Sequence, residues 1–266
     1  MKRQTFRYVI LAYAFFWTVF LLTGGVMLWL GEGIVFQIMV VLCSWTPTIA
    51  LLVMFRKLFP NRTLKDFYIS VFNERLNVKM LVLLTVLQIL IFVVMIGIVT
   101  FVNRTSISSL LDLSTKTIAF GFFITLIQGA TGEESGWRGY LQPSLEGKYS
   151  VIKASLIIGV VWGFWHAPLW FITSGYTGVD LILYIIAFIV SITSTSIIIG
   201  ICYNRCKNLF VPIWIHFMFN FVFTMFSGDE HDMLIGFVGI AVLYAFAAAG
   251  YFVWYRAFSR KGIAIK

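Results

Sequence analysis

Long apolar runs alternate along the chain with short polar loops. A helix needs ~20 mostly apolar residues to cross the hydrocarbon core of a bilayer. Runs of that kind fall at roughly 8–30, 34–55, 78–102, 117–135, 152–173, 180–203, 209–227 and 233–256. The pattern predicts an all-α, polytopic integral membrane protein with about eight transmembrane helices and a single membrane domain, 1–266. The fourth run enters the polar stretch Gly132-Glu133-Glu134-Ser135-Gly136 and is expected to continue as helix to Gln142, where Pro143 helps to stop it. The first run is too long for the apolar core of a signal peptide and lacks a small-residue cleavage site, so it reads as a mature span. Pro47 is expected to kink the second span and Pro212 to mark the start of the seventh.

Composition agrees with lipid as the solvent. The 266 residues are 60% hydrophobic and 12% charged, with a mean hydropathy of +0.93. A soluble domain carries roughly 25% charged residues, so too little polar surface remains here to cover a soluble core. The formal net charge is +9. In a soluble protein that would suggest nucleic acid, but here the basic residues sit between apolar runs and carry topology. Lipid is the expected partner, and nucleic acid is not. Cys43, Cys202 and Cys206 form neither a disulfide framework nor a zinc pattern.

With the N-terminus in the cytoplasm, 18 of the 20 Lys and Arg residues fall in inside segments, and only Arg104 and Lys116 fall outside. Cytoplasmic loops carry such an excess, so eight spans and cytoplasmic termini support each other. The longest inside loop, about Arg56 to Lys79, mixes basic residues with Phe59, Phe67, Tyr68 and Phe72. It reads either as an interfacial helix on the inner leaflet or as a solvated basic loop.

Ionisable residues inside a membrane helix cost ~2.5–3.5 kcal/mol each on insertion scales, so each needs a reason. Three places hold them. In Glu133-Glu134-Ser135-Gly136-Trp137-Arg138, Glu134 and Arg138 share a helix face at i,i+4 and can pair. Glu133 faces elsewhere. In Trp165-His166-Ala167-Pro168, the proline loosens the backbone near the imidazole. In His216-Phe217-Met218-Phe219-Asn220, an imidazole and an amide share one face. Taken singly, these are also what a polar helix end, a core histidine and an interhelical hydrogen-bonded pair look like.

Together they make a hydrolytic set. A Glu–His pair can activate water, and His and Asn can donate to an oxyanion. The same Glu and His residues could instead bind a divalent metal such as zinc. Helix-depth counting allows all of them to meet in a cavity opening to the cytoplasm.

The ordered set Glu133-Glu134-x-x-x-Arg138, Phe-Trp-His166 and His216-x-x-x-Asn220 resembles the CPBP family, the C-a-a-X protease and bacteriocin-processing membrane proteins also called Abi. The resemblance covers about 117–227, the motif-bearing core. It implies an intramembrane endopeptidase, glutamate-dependent or metal-dependent, acting on a membrane-associated or prenylated-type peptide or protein. In that scheme Glu133 activates water with help from His166, and His216 and Asn220 form the oxyanion site. Glu134 is a second acid paired with Arg138. Glu133, His166 and His216 are the ligands if a metal is present. The compact chain and short loops resemble a prokaryotic member in the plasma membrane. Two other functions suit the same residues: a non-catalytic bacteriocin-immunity or partner-binding protein on this scaffold, and a small transporter using buried Glu and His as proton relays.

Overall fold

The structure, a computed structural model, describes residues 3–259. Lys2, Arg260, Lys261 and Lys266, which entered the charge count above, lie outside the described residues. The described chain is helical almost throughout: α1 (Arg3–Leu30), α2 (Ile34–Leu58), α3 (Leu64–Phe72), α4 (Val78–Asn103), α5 (Thr115–Thr125), α6 (Thr131–Glu134), α7 (Gln142–Glu146), α8 (Val151–Trp165), α9 (Ala167–Ile172), α10 (Gly178–Cys206), α11 (Phe210–Phe223) and α12 (Glu230–Ser259). It is an all-α polytopic membrane protein. Large apolar side chains such as Leu28, Trp29, Phe101 and Phe246 are exposed on its outer faces. In a bilayer those faces meet lipid, which solvates them as well as a core would.

Local sequence sets the helix starts. The side chains of Asn77, Ser114 and Ser150 accept the backbone N–H groups of Met80, Thr117 and Lys153, capping α4, α5 and α8. Thr63 and Asp66 form a reciprocal capping box on α3. α4 and α10 end on left-handed residues, Arg104 (φ 52°) and Lys207 (φ 49°).

Six stretches among the described residues are long and apolar enough to cross a membrane, rather than eight: Arg3–Leu30, Ile34–Leu58, Val78–Asn103, Val151–Ile172, Gly178–Cys206 and Glu230–Ala257. The expected seventh span is the 14-residue α11. At 1.5 Å per residue it reaches only about 21 Å, against a hydrocarbon core of about 30 Å. The expected fourth span is broken into α5 and the run that begins at α6. These two are the segments that carry Glu133, Glu134, His216 and Asn220, so span count and site chemistry are linked.

The loop expected to be the longest on the inside, about Arg56 to Lys79, holds α3, a docked helix rather than a solvated loop. Phe67 and Val71 are buried. The Leu209 N–H donates to Val71 O at 2.7 Å, and Asn208 Nδ2 donates to Phe72 O and Glu74 O at 3.1 and 2.6 Å. Leu64, Ile69 and Phe72 stay exposed.

Small residues decide how closely the site-bearing segment approaches α2. A Cβ on Gly132 would lie 2.7 Å from Trp45 Cδ1, and one on Gly136 would lie 2.6 Å from Pro47 O. The same device joins α8 to α10, where a Cβ on Gly159 would lie 2.6 Å from Thr193 Cα. α2 runs on through Pro47. Proline cannot donate to the carbonyl four residues back, and the Thr46 hydroxyl takes Cys43 O at 2.8 Å instead. Tyr8 OH donates to Pro47 O at 3.1 Å, tying α1 to the same point.

Gly136→Ala therefore forces α2 and the site-bearing segment apart. The expected cost is about 1–3 kcal/mol, read as a lower melting temperature in detergent. Gly250→Ala, where nothing lies within 4 Å of the added carbon, is the control and should melt like the parent. Equal melting of all three proteins would contradict the close approach.

Candidate active site

The site is built at two helix interruptions. After α5 the chain leaves helical geometry at Gln128 (φ −88°, ψ 127°) and Gly129 (φ 87°, ψ −92°). The positive φ at Gly129 suits a residue without a Cβ. Carbonyls released inside a membrane bundle need other partners. Thr131 Oγ1 donates to Leu126 O at 2.6 Å, and Trp45 Nε1 donates to Ile127 O at 2.9 Å. Helix then resumes at Thr131 and continues to Glu146, past the expected stop at Pro143. Over Ser135–Leu141 the turns are widened, and the Gln142 N–H reaches Trp137 O, five residues back. Pro143 falls in the first turn of α7, where a missing N–H is tolerated.

The second interruption is His166 (φ −78°, ψ 0°), between α8 and α9. Pro168 cannot donate to the Phe164 carbonyl. The His166 N–H turns back to Gly163 O at 3.0 Å. Trp162 O, which a regular helix would pair with that N–H, instead receives the His166 ring through Nδ1 at 2.8 Å. A carbonyl only accepts, so Nδ1 carries the hydrogen and Nε2 keeps its lone pair.

Glu133, Glu134, Arg138 and His216 are all buried, at 3%, 0%, 0% and 3% exposure. His166 and Asn220 are half-buried. Arg138 Nη1 donates to Glu134 Oε1 at 2.9 Å, the pairing that i,i+4 spacing allows. The same oxygen accepts His216 Nδ1 at 2.8 Å. Glu133 faces the other way. Its Oε2 accepts two indole N–H groups, from Trp137 at 3.2 Å and Trp162 at 2.5 Å. A Cβ on Gly129 would lie 3.0 Å from Asn220 Nδ2, 3.6 Å from His216 Nε2 and 3.7 Å from Glu133 Oε1. One small volume beside Gly129 is thus ringed by a carboxylate oxygen, an imidazole nitrogen and an amide nitrogen.

Residues 115–222 match the family model described as type II CAAX prenyl endopeptidase Rce1-like. Over this segment the chain is similar to that family, in line with the resemblance carried by its motifs. A curated relative, CAAX prenyl protease 2 of Methanococcus maripaludis (strain S2), is 39% identical over 99 residues, which is 36% of this chain and 36% of that protein. The aligned part therefore spans about a third of the relative's length. The matched segment contains every side chain that rings the Gly129 volume and leaves α1 to α4 and α12 outside it.

Within the matched segment, the residues singled out from sequence lie around one centre; the Glu134–Arg138 pair is as expected, and other partners differ. No hydrogen bond joins Glu133 to His166. They meet through Trp162, whose indole binds the carboxylate and whose carbonyl binds the imidazole. Glu134 holds His216 as well as Arg138. As a metal-ligand set, Glu133, His166 and His216 do not fit. Among the described residues, no three His, Cys, Asp or Glu side chains come together as a group able to hold a metal. Sequence reasoning missed the functional placement of Gly129, Trp137 and Trp162. The positive-φ glycine has no spacing signature, and tryptophan is common throughout membrane helices.

Arg138→Met leaves the Glu134 charge buried beside a neutral side chain. Breaking such a pair costs about 3–5 kcal/mol, so melting should fall steeply. Adding Glu134→Gln removes the stranded charge and should restore part of the loss. A double variant no more stable than Arg138→Met would contradict the pairing.

Proposed function

We propose that the protein is an intramembrane endopeptidase that hydrolyses a peptide bond in a membrane-associated peptide or protein, using water activated by Glu133. The observation that carries this reading is the convergence of Glu133 Oε1, His216 Nε2 and Asn220 Nδ2 on one volume beside Gly129. A water oxygen there gives its proton to Glu133 as it adds to the carbonyl carbon. The carbonyl oxygen becomes an oxyanion that accepts from Asn220 Nδ2 and from His216. Cleavage of the C–N bond then returns a proton to the leaving amine. His166, whose Nε2 keeps its lone pair, assists in moving protons on the Trp162 side.

Charge balance supports His216 as a donor. A neutral imidazole with hydrogen on Nδ1 has no second hydrogen to give. The imidazolium has one on Nε2, and its charge is matched by Glu134 through Nδ1. With Glu133 ionised and Arg138 charged, the buried group of four then sums to zero. The donor and the base are thus competent together.

The name of the archaeal relative points to prenylated CAAX-type substrates as one class to test. On this reading the substrate enters from the cytoplasm or the bilayer, and both termini of the chain are cytoplasmic in a prokaryotic plasma membrane.

The test is cleavage of a membrane-peptide library, including prenylated CAAX-type peptides, by the purified protein beside Glu133→Gln, each with and without a strong chelator. Loss of a general base lowers the rate by about 100- to 10,000-fold, with melting unchanged and the chelator without effect. Retained cleavage by Glu133→Gln would overturn the mechanism. Cleavage lost to chelator and restored by zinc would replace it with a metallopeptidase. A wild type that cleaves nothing in the library would favour the immunity or partner-binding reading.

A further inference from the structure

Trp162 touches four of the site's side chains: Glu133, His166, His216 and Arg138. Its indole N–H donates to Glu133 Oε2, its carbonyl accepts from His166 Nδ1, and its ring lies 4.8 Å from the His216 ring, centroid to centroid. The Arg138 guanidinium sits 4.6 Å over the same ring. Trp137 adds a second indole N–H to the same Glu133 oxygen and is itself packed edge-on against Tyr8 and Trp165 at 6.1 and 6.0 Å. Both indoles are buried, at 0% and 1% exposure.

A carboxylate has two equivalent oxygens on a nearly free terminal torsion. Two donors on different oxygens would leave both occupied. Two donors on one oxygen fix the torsion and leave the other oxygen open. Here both indoles take Oε2, and Oε1 is the oxygen that faces the Gly129 volume. Tryptophan suits the task because indole N–H only donates and its rigid ring has two rotatable bonds to lock.

We propose that Trp137 and Trp162 act as an indole clamp, a pair of positioning residues that select which oxygen of Glu133 meets the reacting water. Trp162 belongs to α8 and Trp137 to the segment after α6, so the clamp also fixes the two halves of the site to each other. Its consequence for rate rests on the peptidase reading; the clamp itself does not.

The experiment therefore has two independent readouts. The first is the indole N–H spectrum of the full-length protein labelled with ¹⁵N-tryptophan in detergent micelles, with assignments from single Trp→Phe variants. Glu133→Gln should move the Trp137 and Trp162 indole protons upfield, as a bond to an ionised acceptor becomes one to a neutral amide. The indole of Trp165, which donates to Ala12 O at 3.3 Å, should stay in place. The second readout is kinetic. Trp162→Phe keeps an aromatic side chain beside Arg138 and loses the donor together with part of the ring volume, as does Trp137→Phe for its own partner. Misplacing a reacting group by about 1 Å costs on the order of 100-fold, so each single variant should lose about 10- to 100-fold in kcat with KM within about twofold. The double variant should lose less than the product of the two.

Unmoved Trp137 and Trp162 resonances in Glu133→Gln would overturn the clamp whatever the cleavage results. Shifted resonances with undiminished kcat in both Phe variants would overturn its positioning role. If the wild type cleaves nothing, the peptidase reading fails while the spectrum still decides the clamp. If Trp162→Phe melts early, Trp137→Phe and the Glu133→Gln spectrum decide it.

Discussion

Two carboxylates, a guanidinium and an imidazole lie buried within a membrane bundle, and they must neutralise one another there. An unpaired ion in that setting costs several kcal/mol. Glu134 occupies the centre of the arrangement, because its Oε1 accepts from both Arg138 and His216. With that oxygen committed, the second carboxylate is free to face a different direction and take different donors. The division of labour between adjacent glutamates follows: Glu134 holds charges together, and Glu133 presents an oxygen to an open volume.

The backbone is shaped to the same end. On the backbone as it runs at residue 129, a Cβ would lie where Asn220, His216 and Glu133 converge. Gly129 in its left-handed conformation removes that atom and turns the chain aside. Pro168 interrupts the opposing helix and leaves Trp162 O for the His166 ring. Gly132 and Gly136 bring the carboxylate-bearing turns against α2, so the cluster is enclosed by backbone and aromatic rings. The widened turns at Ser135–Leu141 let that segment continue past Pro143. Each irregularity thus falls where a regular helix would fill, misdirect or expose the polar group.

Much of this was legible in the sequence. The hydropathy runs placed the six long spans to within several residues. The i,i+4 relation of Glu134 and Arg138 is a property of one helix face, so it could be read without the fold. The ordered motifs marked the segment that the family model matches. What escaped was everything that depends on one helix meeting another. Glu134 looked satisfied by Arg138, so its bond to His216 from α11 had no signal. The indole donors to Glu133 come from positions four and twenty-nine residues away, and only the first is a helical spacing. The break at Gly129 escaped because a single glycine in an apolar run is compatible with a continuous helix. The apolar run through about residue 227 reads as a full span because hydropathy continues past the end of α11 at Phe223.

The central claim is that the volume beside Gly129 is where bond cleavage happens. Gly129→Ala places a methyl group there, 3.0 Å from Asn220 Nδ2. Cleavage by this variant, measured beside the parent on any peptide that the parent cleaves and with melting followed on the same samples, tests the claim most directly. The account predicts that hydrolysis is abolished while a cooperative melting transition persists. Hydrolysis at the parental rate would contradict it, because the reacting atoms would then have to lie elsewhere.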